Sequence, residues 1–405
     1  MTEAPRSSRA AFRARETARR AALRKRLYVA SGALLVVMLG GVGLAFVLSH
    51  GTSRPTSAAL TEATPIPGSL PRSAAASASL AVARSARPAT LTVTAVGDMI
   101  FDRRVKALIQ TSGGSAPLSA VDELLKRADV TVGNLESPLS SGGSQDADKD
   151  VTFRGDPRGI ESLSNSGFDF LSLGNNHVLD YGAAALADTV SALDANSIGH
   201  AGAGADRDAA WKPAVVERDG ASVAFLSFSH ILPPGFVATS SHAGLAQGRN
   251  NMDAVVAAIK TAKAENDYVI VSFHWGVEYQ DDANGDQVRD AHKAIDAGAD
   301  MVMSHHPHVI QAVEYYKGRL IAYSLGDFVF DHYSRKTGEA FILDAELGPD
   351  GVANARVTPV YLDGNGKPEV VTGSAADVIL GRLKSISAKR STQVKVSGDT
   401  AQVLP

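Results

Sequence analysis

Apolar and polar positions divide the chain into three textures. Residues 27–49 (LYVASGALLVVMLGGVGLAFVLS) form a run of 23 residues without a charge. At about 1.5 Å per residue this is long enough to cross a hydrocarbon core of about 30 Å. Residues 50–90 are rich in Ser, Ala, Thr and Pro and show no sustained periodicity, the composition of a flexible tether. From Leu91 onward, short β-branched and aromatic runs alternate with stretches whose apolar residues recur at helical spacing. Strands are predicted at 91–96, 130–132, 168–173, 222–228, 268–273, 301–304 and 320–324. Helices are predicted at 103–110, 119–126, 156–166, 183–195, 252–265 and 285–297. The alternation predicts an α/β domain over 91–345 with a partly parallel sheet. Past Glu339 the pattern changes. Residues 341–347 and 353–362 read as antiparallel strands joined around Pro349-Asp350-Gly351, and 375–386 as a late helix. Residues 346–405 therefore complete the domain or are appended to it.

Charge sharpens this division. The formal net charge is −3, from 40 Lys and Arg against 43 Asp and Glu. Residues 1–26 hold nine basic side chains against Glu3 and Glu16, whereas residues 91–405 carry a net −13. A basic block before an apolar stretch predicts a cytoplasmic stub (1–26), a single-pass anchor (27–49) and an extracytoplasmic domain beyond the tether. A cleaved signal peptide is the alternative, but its apolar part usually runs about 7–15 residues, and Leu48-Ser49-His50 is a poor cleavage site. The basic block thus reads as a topology signal, with no nucleic acid as partner. Hydrophobic residues at 44% exclude global disorder, and the absence of cysteine excludes thiolate metal sites, iron–sulfur clusters and cysteine nucleophiles.

The candidate chemistry lies at the carboxyl ends of predicted strands, where α/β sheets bind ligands. Gly97-Asp98-Met99 follows the first strand, and Gly133-Asn134-Leu135-Glu136 the second. Gly174-Asn175-Asn176-His177 follows the third, with Asp180 and Gly182 beyond. His274-Trp275-Gly276 and Glu278-Tyr279, Ser304-His305-His306-Pro307-His308, and Gly326-Asp327 end later ones. Five of the eleven histidines fall in these clusters. Imidazoles and carboxylates together suit divalent transition metals.

In this order the motifs resemble the CapA family of poly-γ-glutamate capsule biosynthesis proteins, which is similar to the calcineurin-like metallophosphoesterases. The resemblance covers about residues 91–345. It implies a four-layer α-β-β-α sandwich preceded by a transmembrane helix. It also implies one or two divalent ions (Mn, Fe or Zn) held by Asp98, Glu136, Asn176, His274, His306 and His308. His177 is implied as the acid toward a leaving group, with Asp180 and Glu278 orienting imidazoles. The sequence departs from the phosphatases at Ile100, where they carry a histidine ligand. The implied partners are the cell membrane, an anionic polymer such as poly-γ-glutamate, and subunits of a membrane synthase. Two kinds of function stay open: a metal-dependent hydrolase of phosphoesters or glutamyl amides in envelope polymers, and a non-catalytic scaffold or polymer guide.

Overall fold

The computed structural model describes residues 88–404. The expected stub (1–26) and anchor (27–49), and the expected tether up to residue 87, lie outside the described residues. Among the described residues no helix is long and apolar enough to cross a membrane.

The first half of the domain builds β1 (Leu91–Met99), β2 (Val130–Leu135), β3 (Phe170–Ser172), β4 (Gly199–Ala201), β5 (Ala203–Gly204), β6 (Ala214–Arg218), β7 (Ala221–Ser229), β8 (Gly244–Leu245) and β9 (Tyr268–His274). The second half adds β10 (Met301–His305), β11 (Val313–Tyr316), β12 (Arg319–Ala322), β13 (Asp327–Val329), β14 (Glu339–Gly348), β15 (Gly351–Leu362), β16 (Pro368–Val370), β17 (Gln393–Ser397) and β18 (Thr400–Leu404). Ten strands make one sheet, in the order β17-β18-β15-β14-β1-β2-β3-β4, with β13 beside β1 and β16 beside β15. Six make a second, ordered β11-β12-β10-β9-β7-β6. Strands β1 to β4 run parallel, as do β7, β9, β10 and β12. Strands β14, β15, β18 and β17 continue the first sheet antiparallel.

The architecture is mixed α/β, and the two sheets share one apolar core. Val93, Ala95, Val132 and Phe170 of the first meet Phe225, Val271, Val302 and Ile321 of the second. The rings of Phe170 and Phe225 stack at 4.4 Å. Helices Met252–Glu265 and Gly285–Asp296 pack on the second sheet. A separate cluster joins Val96, Met99, Leu135 and Leu171 to Val105, Ile109, Leu186 and Leu193 of the helices at Arg103–Ser112 and Gly182–Ala195. The chain beyond 345 adds β15 to β18 to the ten-stranded sheet and buries Ile379, Leu380 and Leu383 of helix Gly373–Ala388 in the main core.

Two predicted helices are shorter than expected. Residues 156–166 become Gly159–Asn165, because Pro157 disfavours helical backbone at Asp156, whose carboxylate instead accepts the Arg158 N–H at 3.0 Å. Residues 119–126 shrink to Asp122–Leu125 behind a tighter turn over Ala116–Leu118 that contains Pro117.

The amino ends of the parallel strands share one device. Asp129, Asp169, Asp267 and Asp300 each stand one residue before a strand. Each accepts a backbone N–H from the neighbouring parallel strand: Thr92, Thr131, Ser222 and Val269, at 2.7, 2.8, 2.9 and 2.9 Å. Asp169 also pairs with Arg218, and Asp300 with Lys263 at 2.7 Å. These carboxylates anchor strand register, and those of Asp169 and Asp300 are also charge-paired.

Candidate metal centre

The opposite, carboxyl ends of the strands converge on one buried cluster. Strand β1 delivers Asp98 against β13, with Asp98 and Asp327 as register partners. The approach needs glycine: a Cβ on Gly97 would lie 1.9 Å from the Gly326 carbonyl oxygen. Strand β2 delivers Asn134 and then Glu136, whose N–H donates to the Met99 carbonyl at 2.8 Å. Strand β9 ends on His274 and β10 on His305. His306 and His308 follow at φ 96° and 56°, left-handed values that side chains adopt at a penalty. The backbone N–H of His306 donates to Asp98 Oδ2 at 3.0 Å.

Side-chain geometry ties the cluster together. Asn134 Nδ2 donates to Asp98 Oδ1 at 2.9 Å and Asn175 Nδ2 to Asn134 Oδ1 at 3.1 Å. His274 Nε2 meets Asn176 Oδ1 at 2.7 Å and stands 3.5 Å from Glu136 Oε1. His308 Nδ1 meets Asp327 Oδ1 at 2.8 Å. Three overlapping groups each bring their ligand atoms within 4.8 Å of one another: Glu136, His306 and His308; Asp98, His308 and Asp327; Asp98, Glu136 and His274. Glu136 Oε1, His274 Nδ1, His306 Nδ1 and His305 Nε2 are buried without a hydrogen-bond partner, while His305 Nδ1 lies 3.0 Å from Asp98 Oδ1. Buried polar atoms left this way are costly. Buried carboxylates and imidazoles gathered this closely, with ligand atoms left over, are the donor set of a divalent cation, so the residues fit the implied metal.

The ionisation pattern agrees at His274 and His306, whereas Glu136 and His308 would each give up a proton to a cation. Burial, reinforced by Asp98, pushes the Glu136 carboxyl well above the ordinary range. Burial also raises Asp327, against His308, to about 7. Asp98 is lowered, because the imidazoles of His305 and His308 outweigh its burial. His308 is raised well above its usual value: burial opposes its charge, but Asp327, Glu136 and Asp98 overcome it. Burial and neighbouring imidazoles lower His274 and take His306 down to about 3. Neutral imidazoles are what a metal requires.

His177 stands in the same pocket. Its Nδ1 meets Asp180 Oδ2 at 2.6 Å, and burial lowers it to about 4. Lys149 pairs with Asp180, donates to the Asn176 carbonyl at 2.5 Å and lies 3.4 Å from His177 Nδ1. The Phe153 ring packs on His177 at 4.3 Å, and the Arg103 guanidinium lies 4.6 Å above Phe153.

Of the residues singled out from sequence, the structure brings Asp98, Glu136, Asn176, His274, His306 and His308 together, with His177 and Asp180 beside them. Glu278 it does not bring in. That side chain is exposed, with no hydrogen bond to an imidazole among the described residues, and it reaches the cluster only as a charge that helps raise Glu136. The cause is local: after Trp275 the chain turns through Gly276 at φ 88° and Tyr279 at φ 63° and carries residues 277–280 to the surface. The structure adds Asp327 and His305, both in polar strand-end clusters of the sequence. It also adds Lys149, which lies in a loop with no local signal.

The comparisons with known proteins follow this geometry. The model of the bacterial capsule synthesis protein family (PGA_cap) matches residues 92–332. The PGA biosynthesis protein CapA of Bacillus subtilis (strain 168) is 31% identical over 272 residues, 67% of this chain and 71% of that protein. The capsule biosynthesis protein CapA of Bacillus anthracis is 33% identical over 291 residues, 70% of each. Among solved structures, a 5'-nucleotidase precursor from Thermus thermophilus is 14% identical with a TM-score of 0.44, covering 74% of this chain and 59% of that one. With a family model spanning its strand-end motifs and two CapA relatives above 30% identity, the chain belongs to the bacterial capsule synthesis protein family.

Proposed function

We propose that this CapA-like protein of capsule and poly-γ-glutamate synthesis works through a divalent-cation centre that carries hydrolysis or transfer on an anionic envelope polymer. The observation that carries the reading is the buried set Asp98, Glu136, His274, His306 and His308 with its orphaned ligand atoms. Two packed sheets with helices against them suit the four-layer metallophosphoesterase arrangement. Asp98, Glu136, Asn176, His274, His306 and His308 would hold the metal. A bound divalent cation supplies Lewis acidity and acidifies the water it holds.

The chain's own residues do the rest. Asp180 engages Nδ1 of His177, which leaves Nε2 to exchange a proton with a leaving oxygen or nitrogen. Lys149 holds Asp180 in place. Phe153 shields one face of the imidazole, and Arg103, stacked on Phe153 and paired with Asp331 at 3.3 Å, borders the pocket. A cavity of about 260 Å³ lined by Tyr279, Val309, Tyr333 and Lys336, with the Tyr279 ring 6.2 Å from that of His308, offers room for a polymer segment. In this reading residues 27–49 anchor the chain with its amino end in the cytoplasm and the domain outside.

The test measures metal content and turnover of a generic phosphodiester and of poly-γ-glutamate by the full-length chain. The expected result is about one or two equivalents of divalent metal, with His177→Ala keeping the metal and losing turnover. A metal-free wild type that His306→Ala and His308→Ala leave unchanged overturns the reading. The scaffold reading is favoured by one feature, the fully buried Ile100 in place of an imidazole. It wins if the metallated wild type turns over neither substrate.

A further inference from the structure

We propose that the cavity lined by Tyr279 and Tyr333 is a sugar subsite, which receives one uncharged pyranose ring of an envelope polymer whose phosphoester lies at the cation centre. The inference rests on the cation reading above and deepens it by naming the part of the substrate that the cavity reads.

The walls are aromatic, exposed and held in place. Tyr279, Val309, Tyr333, Ser334, Lys336 and Thr337 line the cavity. Tyr333 at 71% and Tyr279 and Val277 at 54% are the most exposed large apolar side chains among the described residues, and all three stand in the loops after β9 and β13. Exposed apolar surface gathered in one place marks a binding site. Tyr279 keeps a left-handed backbone at φ 63°, with its N–H donating to the Pro307 carbonyl at 2.8 Å. A bulky residue adopts that conformation at a penalty, which core packing does not repay for a side chain this exposed. The Tyr333 hydroxyl accepts from Arg103 at 2.7 Å and donates to Asp331 Oδ2 at 2.9 Å. An aromatic face fixed beforehand loses little freedom when a ligand lands on it.

Charge decides what kind of group fits. The basic side chains here are already engaged: Lys336 with Asp281 at 2.5 Å, and Arg103 with Asp331 at 3.3 Å. Glu278, one residue before Tyr279, is exposed and adds a negative charge. A glutamyl carboxylate entering the cavity would lose water, gain no unpaired cation and face Glu278. A pyranose avoids that cost. Its ring carries C–H bonds on its faces and hydroxyls around its edge, and tyrosine is divided the same way, with apolar faces and a polar tip. The volume of about 260 Å³ lies just under the roughly 300–1,000 Å³ of pockets for drug-sized ligands, so it suits a single ring better than an extended chain.

Position completes the argument. The Tyr279 ring is 6.2 Å from that of His308. Tyr333 is linked to His177 through Arg103 and Phe153. The two tyrosines thus connect the cavity to both histidines that would meet a phosphoester.

The experiment is a calorimetric titration of the full-length chain, loaded with Mn²⁺, with two non-hydrolysable probes. Glucosylmethylphosphonate is the counterpart of a sugar phosphate, and ethylphosphonate carries the same anion without the ring. Wild type should bind the sugar phosphonate about tenfold more tightly. Tyr279→Ala and Tyr333→Ala should each lose most of that gain, whereas Tyr333→Phe, which keeps the ring and gives up the hydroxyl, should retain it. Methyl glucoside, followed by ligand-observed NMR, should bind weakly with or without metal, and both alanine variants should abolish the signal. Equal affinity of wild type for the two phosphonates overturns the inference, as does a gain that both alanine variants retain. A gain lost equally in Tyr333→Phe also overturns it, because the effect would then belong to Arg103 and Asp331. So does a γ-glutamyl oligomer that binds more tightly than the sugar phosphonate and loses that binding in the alanine variants. If neither phosphonate binds better with Mn²⁺ than without it, the cation reading fails, and the methyl glucoside signal alone decides the subsite: its absence overturns the inference.

Discussion

The two ends of the same strands treat acid in opposite ways. At the amino ends, Asp129, Asp169, Asp267 and Asp300 each have a backbone N–H to accept, and Asp169 and Asp300 also have an arginine or lysine to pair with. At the carboxyl ends, Asp98, Glu136 and Asp327 face imidazoles, some with orphaned nitrogens. One set is complete within the fold. The other is incomplete until something positive arrives. Burial of a carboxylate therefore marks no function by itself; burial without its complement does.

The largest effect separating the two ends is on cation affinity. His306→Ala should weaken metal retention by about 100-fold, roughly 2.7 kcal/mol. Asp300→Ala should leave retention untouched, which dialysis against a graded chelator would show. Equal loss in both variants would erase the contrast.

Next comes stability. Asp300→Ala orphans the Val269 N–H and leaves Lys263 unpaired, and should lower the unfolding free energy by about 2–4 kcal/mol in urea melts. A change under about 1 kcal/mol would mean that the amino-end aspartates are not structural anchors.

Acid should expose a third difference. His230 follows β7 at the site end, and burial takes its imidazole down to about 4. Between that value and about 6.5 the unfolded chain binds a proton that the folded chain refuses, so stability falls as pH drops through this window. His230→Phe should flatten that fall by about 1–2 kcal/mol, read from chemical melts at several pH values. An unaltered slope would move the effect to other groups.

The smallest effect has the opposite sign. Without metal, Glu136 keeps a proton that the unfolded chain releases above about 4.5, so folding weakens as pH rises through that range. Glu136→Gln should raise the unfolding free energy of the metal-stripped chain by about 1 kcal/mol near neutral pH, and lower that of the metallated chain, read from urea melts. Stabilisation in both states would argue that Glu136 holds no cation.

Much of this contrast was legible in the sequence, and the remainder has physical causes. The parallel strands announce themselves as β-branched runs because both their faces are buried. Their polar ends stand out because Asp98, Glu136 and His274 interrupt runs that have no packing use for charge. Asp327 could be read equally as a turn cap or a site residue, since Gly-Asp serves both. Only the parallel pairing of β13 with β1 resolves it. Lys149 reaches Asp180 across 31 positions from an irregular loop, a contact without periodic signature. The hairpin of β17 and β18 went unpredicted because its strands are short and half exposed. Glu278 failed for the reverse reason: its motif is intact, but two left-handed residues carry it outward.

The contact between Gly97 and Gly326 has a consequence beyond packing. It makes the gap between two acids a property of bare backbone, with Asp98 and Asp327 riding on strands that touch where neither has a side chain. One methyl group at position 97 would act as a shim between the jaws of a vice. It carries no charge and binds nothing, yet it would alter the separation of the two acids. The calibration of the centre thus resides in an atom that is absent, one residue away from the acid it sets.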